Sequence, residues 1–139
     1  MRIKQSFCYP LFQPKDIDRA DLFKVANEIG YAAVELWGRP GDFEEIVAEA
    51  RKAGLAVAGM TGHASLTDGL NKRSNHDRIE EELRVSIDLA AKHGIPGLIC
   101  FSGNRQPHRS EKEAIASAAD GLRRIAPYAE EKGINLNLG

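Results

Sequence analysis

The sequence has few cysteines, no excess of charge of either sign and no long apolar run. Two cysteines in 139 residues do not make a disulfide framework. Cys8 and Cys100 lie in apolar, strand-like stretches that are typical of reduced structural thiols. Nineteen basic and twenty acidic residues give a net charge of −1, which indicates no nucleic-acid partner.

The chain also lacks segments that would direct it to a membrane or out of the cell. No apolar run approaches the ~20 residues of a membrane span. The opening "MRIKQSFCYP" has no apolar core of a signal peptide. We therefore expect a cytoplasmic protein with no membrane partner.

What the sequence does contain is a regular alternation of strand and helix patterns. With 42% apolar residues, the chain can bury the core of one domain over residues 1–139. Four helical patterns end at glycines, and two begin at capping signals, Asp42 with Glu45 and Ser110 with Glu113. Pro127 should kink or shorten the last helix. The five predicted strands cover residues 3–8, 32–37, 55–60, 97–102 and 134–138.

This alternation predicts an α/β fold with a parallel sheet and right-handed crossovers. Two architectures fit: a (βα)4β half of a TIM barrel, or an open five-stranded doubly wound sheet. The long polar loops follow strands 1, 3 and 4, at residues 9–15, 62–75 and 103–109. Both architectures place their sites at the carboxyl ends of strands, so these loops are where we expect function.

Several segments resemble a known family. "GYAAVELW", "GHASLTDGLNKRSNHDRI", "LICFSGNR" and "GLRRIAPYAEEKGI" resemble successive segments of hydroxypyruvate isomerase-like members of the xylose isomerase-like TIM-barrel superfamily. The resemblance covers the whole chain but only the amino-terminal half of a member. It implies a portion of a sugar isomerase or epimerase-type enzyme, which interconverts aldoses and ketoses by proton transfer through an enediolate.

The resemblance also implies what this chain does not supply. In the family the fifth strand ends in a glutamate that serves as base and metal ligand, whereas here Gly139 stands at that position. The other ligands follow later strands in a full-length relative, where we expect a divalent metal, Mg, Mn or Zn. We therefore expect no cofactor, no metal and no catalytic residue in this chain, and an inactive isolated chain.

Five residues are candidates for binding a small hydroxy-carbonyl or sugar substrate. His63 follows strand 3, where an imidazole could donate to a substrate oxygen, although a loop histidine is often only solvated. Asn104 and Arg105 follow strand 4 and precede a helix, which suits a carboxylate or phosphate; Arg109 is a weaker candidate. Trp37 could form a wall of a sugar pocket or pack in the core. Glu35 shares its strand face and needs a partner such as Lys4 or the substrate.

A half barrel leaves its inner face uncovered, which several alternatives would remedy. A missing carboxyl-terminal half, a homo-oligomer that pairs the edges of strands 1 and 5, or an open rewrapped sheet would each bury it. The functional alternative to an isomerase portion is a non-catalytic module that binds small anions or self-assembles. A third alternative, a related type IV AP endonuclease, is the least favoured, because the sequence shows no basic surface for binding DNA.

Overall fold

The computed structural model describes residues 3–139, which divide into two compact units at Met60 and Thr61. Strands and α-helices alternate along the described chain, as the sequence predicts. The elements are β1 Ser6–Cys8, α1 Arg19–Ile29, β2 Ala33–Leu36, α2 Phe43–Lys52, β3 Ala56–Thr61, α3 His76–His93, β4 Gly97–Cys100, α4 Glu111–Lys132 and β5 Asn135–Leu138. Short 3-10 turns cover Tyr9–Leu11 and Arg73–Asn75.

The first unit contains three parallel strands in the order β1-β2-β3. Cys8 of β1 lies opposite Glu35 of β2, and the register between β2 and β3 shifts after Val34. Val34 and Leu36 are buried while Glu35 is half-buried, so the strand has one apolar face and one mixed face. The buried side chains of the flanking helices are Phe23, Ala26, Phe43, Ile46, Val47 and Ala50.

The second unit contains the parallel pair of β4 and β5 and the packed helices α3 and α4. The backbone N–H of Gly62 donates to the carbonyl of Ile99 at 2.8 Å, which ties the start of the long third loop to β4. Burying each large apolar side chain stabilises the unit by about 1.5–3 kcal/mol. The fully buried ones are Leu70, Ile79, Leu83, Ile87, Ile95, Leu98 and Ile125.

One of the two predicted capping boxes is confirmed. The Ser110 side chain accepts from the Glu113 N–H, and the Glu113 carboxylate accepts from the Ser110 N–H. Asp42 does occupy the N-cap position of α2, but its side chain makes no cap hydrogen bond. It accepts a bond from Arg19 at 2.6 Å instead, because a guanidinium is a stronger partner than a backbone amide.

One further expectation about the helices is corrected. The predicted shortening at Pro127 is wrong, since α4 continues to Lys132 with Ile125 and Ala129 buried on either side of the proline. Proline removes one helix hydrogen bond, and the burial around it offsets that loss.

Both cysteines are free thiols; Cys100 is buried and Cys8 is half-buried. Within residues 3–139, no helix combines the length and the apolarity needed to cross a membrane.

Candidate functional site

The first unit gathers polar side chains along β1 and toward the carboxyl end of β2. The Ser6 hydroxyl donates to Glu35 Oε1 at 2.5 Å, so this carboxylate, which we expected to pair with a group such as Lys4 or the substrate, has Ser6 as a partner in the structure. Cys8 lies opposite Glu35 in the strand register. The structure therefore gives Glu35 a hydroxyl partner on the neighbouring strand and leaves it half-buried.

Trp37 follows β2 directly and is 55% exposed among the described residues. Its side chain reaches Cys8: a hydrogen bond from Trp37 acts to lower the pKa of that thiol. Burial and then the charge of Glu35 outweigh this bond and raise the pKa of Cys8. The thiol therefore stays protonated at neutral pH and is no thiolate nucleophile.

We call Ser6, Cys8, Glu35 and Trp37 the indole–carboxylate cluster. It offers the flat apolar face of an exposed indole and, on Glu35, a hydrogen-bond acceptor, whereas the single N–H of the indole is already bonded to Cys8. A ligand with an apolar face and hydroxyl groups at its rim matches the ring face and the acceptor. Trp37 and Glu35, predicted from the sequence as binding residues, both act on Cys8; that they bind a substrate stays a prediction.

His63 lies in the interior of the second unit, 2% exposed. The backbone N–H of Phe101 donates to His63 Nε2 at 2.8 Å, so the imidazole proton is on Nδ1. Burial is the main cause that lowers the pKa of His63. The imidazole is therefore neutral, and in this form its bond to the Phe101 N–H fixes the carboxyl end of β4. Its predicted role as a donor to substrate is not tested by this geometry.

We expect this buried histidine to make the stability of the chain depend on pH. Its pKa is lower in the folded state than the ordinary 6.5. Between pH 6.5 and the lower folded pKa, the unfolded chain binds the extra proton, so stability falls as the pH falls through this window. Chemical denaturation at pH 7.5 and 5.5 should show this loss, and His63→Gln should reduce it. The exposed His108→Gln is the control, and an equal reduction in that variant would contradict the assignment.

The loops after β3 and β4 are joined by backbone hydrogen bonds. Leu70 N–H donates to the Phe101 carbonyl at 3.0 Å, and Asn71 N–H donates to the Ser102 carbonyl at 2.8 Å. Asn104 N–H donates to the Thr67 carbonyl at 2.8 Å. The centre of the third loop is not a mobile surface segment, because Leu70 and Asn71 are buried. We call these bonded segments, residues 67–71 and 101–104, the loop frame.

Asn71 is the residue of this frame that sequence reasoning missed. Its side-chain N–H donates to the Asn104 carbonyl at 2.7 Å, and its own carbonyl accepts from Arg109 Nη1 at 2.6 Å. Arg109, the weaker candidate in the sequence, is therefore the arginine with a fixed position. The only sequence signal was one amide in a polar loop, which does not distinguish a buried residue from a solvated one.

Arg105 and Arg109 line a cavity of about 540 Å³ between the loop after β4 and the first turns of α4. Arg105 is 82% exposed in its side chain and lies 3.7 Å from the Glu111 carboxylate. Asn104 is exposed and outside the lining of this cavity. The predicted use of the α4 amino terminus for an anion meets competition, because the Ser110 and Glu113 capping box already occupies it.

Within residues 3–139, no group of three His, Cys, Asp or Glu side chains comes together. His63, the histidine that follows a strand end, has its Nε2 lone pair directed to the Phe101 N–H. A catalytic zinc site takes three protein ligands, so the described side chains do not form one.

Comparison with known proteins identifies the family. The family model for the xylose isomerase-like TIM barrel matches residues 23–138, and the chain belongs to this family. A search of curated proteins returned no match.

Solved structures share the fold over nearly the whole chain. A sugar phosphate isomerase/epimerase from Parabacteroides distasonis is 16% identical, with a TM-score of 0.74; the match covers 97% of this chain and 50% of that one. An AP endonuclease, family 2, from Brucella melitensis is 15% identical, with a TM-score of 0.77; the match covers 99% of this chain and 55% of that one. A D-psicose 3-epimerase solved in the presence of D-fructose is 17% identical, with a TM-score of 0.66; the match covers 96% of this chain and 51% of that one.

The chain therefore spans about half the length of the solved structures that it matches. Its parallel strands and alternating helices have the fold of half a TIM barrel, as the first of the two predicted architectures requires. At these identities the likeness shows the fold, and the family match supplies the class of protein.

Proposed function

We propose that the chain is a portion of a sugar isomerase or epimerase-type enzyme and that its first unit contacts the sugar. The family match and the sugar-modifying enzymes among the structural neighbours support the class. The observation that carries the proposal is the exposed indole of Trp37 and the Glu35 carboxylate, which both act on Cys8 at the carboxyl end of β2. This is the end of the strands where TIM-barrel enzymes place their sites.

Each part of the indole–carboxylate cluster has a task in this proposal. The carbon face of a sugar packs on the exposed indole, which removes apolar surface from water on both sides. A sugar hydroxyl donates to Glu35, which already accepts from Ser6 and retains further lone pairs. The bond to Glu35 and the packing on the indole then orient the sugar relative to the strand ends, while proton transfer belongs to residues of a full-length enzyme.

The type of reaction follows from the resemblance to hydroxypyruvate isomerase-like proteins. The reaction is hydroxypyruvate isomerase-like: a base removes a proton from the carbon beside a carbonyl, an enediolate forms, and the proton returns to the neighbouring carbon. A full-length relative would use a divalent metal to stabilise the enediolate oxygens. On its own the chain is then inactive. In the cytoplasm, a second copy or the rest of a barrel covers its inner face.

Tryptophan fluorescence tests sugar binding directly, because Trp37 is the single tryptophan in the sequence. D-fructose, the sugar present with the D-psicose 3-epimerase in its crystal structure, serves as the probe. We expect a saturable change in emission. Glu35→Gln should weaken the affinity about ten-fold, since a hydrogen bond to a charged group is lost.

The matched control is Glu111→Gln, a mostly exposed carboxylate in the second unit, which should leave the affinity unchanged. A response that rises linearly with sugar, or equal affinity in Glu35→Gln, would remove the support for the proposal.

A further inference from the structure

The cavity between the loop after β4 and α4 has features that the proposed function does not use. It lies wholly within the second unit, whereas the indole–carboxylate cluster lies in the first. Its apolar lining includes Ile115, which is 63% exposed, and Leu138, which is 55% exposed. Arg105 and Arg109 belong to the same lining. Apolar side chains together with a few charged groups are typical of small-molecule sites.

Arg109 is held in place by a hydrogen bond to the neighbouring loop. The Asn71 carbonyl accepts one of its N–H groups at 2.6 Å, and Asn71 is itself 4% exposed and bonded to the Asn104 carbonyl. A guanidinium has five N–H donors in a planar fork, so one bond to a carbonyl holds the group and leaves a fork for a ligand. The arginine is therefore placed before a ligand arrives, which reduces the entropy lost on binding.

The charge of the lining sets the charge of the ligand. Among the side chains that line the cavity, Arg105, Arg109 and Glu111 are the charged ones, two positive and one negative. They leave one net positive charge. The α4 capping box already uses the N–H groups of Ser110 and Glu113, so fewer amide donors remain for a dianion. One planar anionic group of a single charge fits this set better than a phosphate does.

We propose that this cavity binds a small monocarboxylate with an apolar body. The carboxylate lies against the forks of Arg105 and Arg109, and the body packs on Ile115 and Leu138. The volume of about 540 Å³ lies within the range of small-molecule sites. This inference does not depend on the proposed sugar binding, because it concerns different residues in the other unit.

Amide spectra of the ¹⁵N-labelled chain test the site with benzoate as the probe. We expect saturable shifts for residues 102–119 and 138. Neutral benzamide, which has the same ring, should bind at least ~10-fold more weakly, because charge-assisted hydrogen bonds are lost. Inorganic phosphate should also bind more weakly than benzoate, since it cannot use the apolar wall.

Variants separate the site from general charge effects. Arg109→Gln and Arg105→Gln should each weaken benzoate binding about five-fold or more. Arg105 is so exposed that its substitution leaves the fold unchanged. Arg123→Gln, an exposed arginine on α4 that is paired with Asp120, should have no effect.

Three results would overturn the proposal. Equal affinity for benzoate and benzamide would show that the arginines take no part. Phosphate binding as tight as benzoate, and weakened by the same variants, would show the wrong ligand class. Shifts that follow protein concentration and not benzoate would show that a second copy covers this face. None of these results would bear on D-fructose and Trp37, so failure here is distinguishable from failure of the proposed function.

Discussion

Replacing Gly69 with alanine should destabilise the chain by about 3 kcal/mol or more, through the overlap of a new methyl group with backbone. A Cβ at this position would lie 2.3 Å from the Phe101 carbonyl oxygen and 2.5 Å from the Gly103 nitrogen. Both neighbours are main chain, which cannot rotate away as a side chain does. The loop frame depends on this approach, since Leu70 and Asn71 bond to the same segment.

Chemical denaturation of Gly69→Ala would measure the loss. Gly41→Ala is the matched control, because a Cβ there meets nothing within 4 Å and its φ is not positive. The control should change stability by less than about 0.5 kcal/mol. A loss in Gly69→Ala that is no larger than this would contradict the close packing of the two loops.

Arg19→Ala should cost about 2 kcal/mol, because it leaves three carboxylates facing one another without their shared cation. Arg19 is 17% exposed and contacts Asp42 at 2.6 Å, Glu49 at 2.5 Å and Glu45 at 3.7 Å. These bonds tie the start of α1 to α2. The hydrogen bond to Arg19 is also the main cause that lowers the pKa of Asp42.

Three measurements check this network. Arg19→Lys should recover only part of the stability, since an ammonium cannot replace the planar fork. Arg123→Ala, at an arginine 76% exposed in one local pair, should change stability by no more than about 0.5 kcal/mol. The pKa of Asp42 should rise toward its ordinary value in Arg19→Ala. An unchanged Asp42 pKa would show that Arg19 does not make this contact in solution.

The alternation of strands and helices was predictable because glycine stops and apolar spacing are local signals. Gly30, Gly94 and Gly133 each take the left-handed conformation at a helix end, as their positions indicate. The Ser110 and Glu113 box is likewise local and confirmed. Asp42 shows the limit of this reasoning, since its side chain bonds a residue 23 positions earlier.

The candidate site was predictable where it follows strand ends and not where it depends on loop conformation. Glu35 lies in β2 and Trp37 follows this strand, so the alternation of side chains along a strand predicts that both lie on one face. Asn71 acquires its position from hydrogen bonds to residues 102, 104 and 109, more than thirty positions away. No spacing rule contains such contacts, because two loops create them only after the strands are in place.

The indole–carboxylate cluster and the loop frame give the chain two kinds of preformed structure. The cluster presents an exposed ring beside a half-buried carboxylate. The frame fixes Arg109 through a buried amide. Preformed contacts favour ligand binding, since less conformational freedom is lost when the ligand arrives.

We propose that a sugar contacts the carboxyl ends of β1 and β2. A titration of the ¹⁵N-labelled chain with D-fructose tests this contact residue by residue, independently of any change in tryptophan emission. We expect saturable shifts that concentrate at residues 6–8 and 33–38. Saturable shifts confined to other residues, or none at these positions, would contradict it.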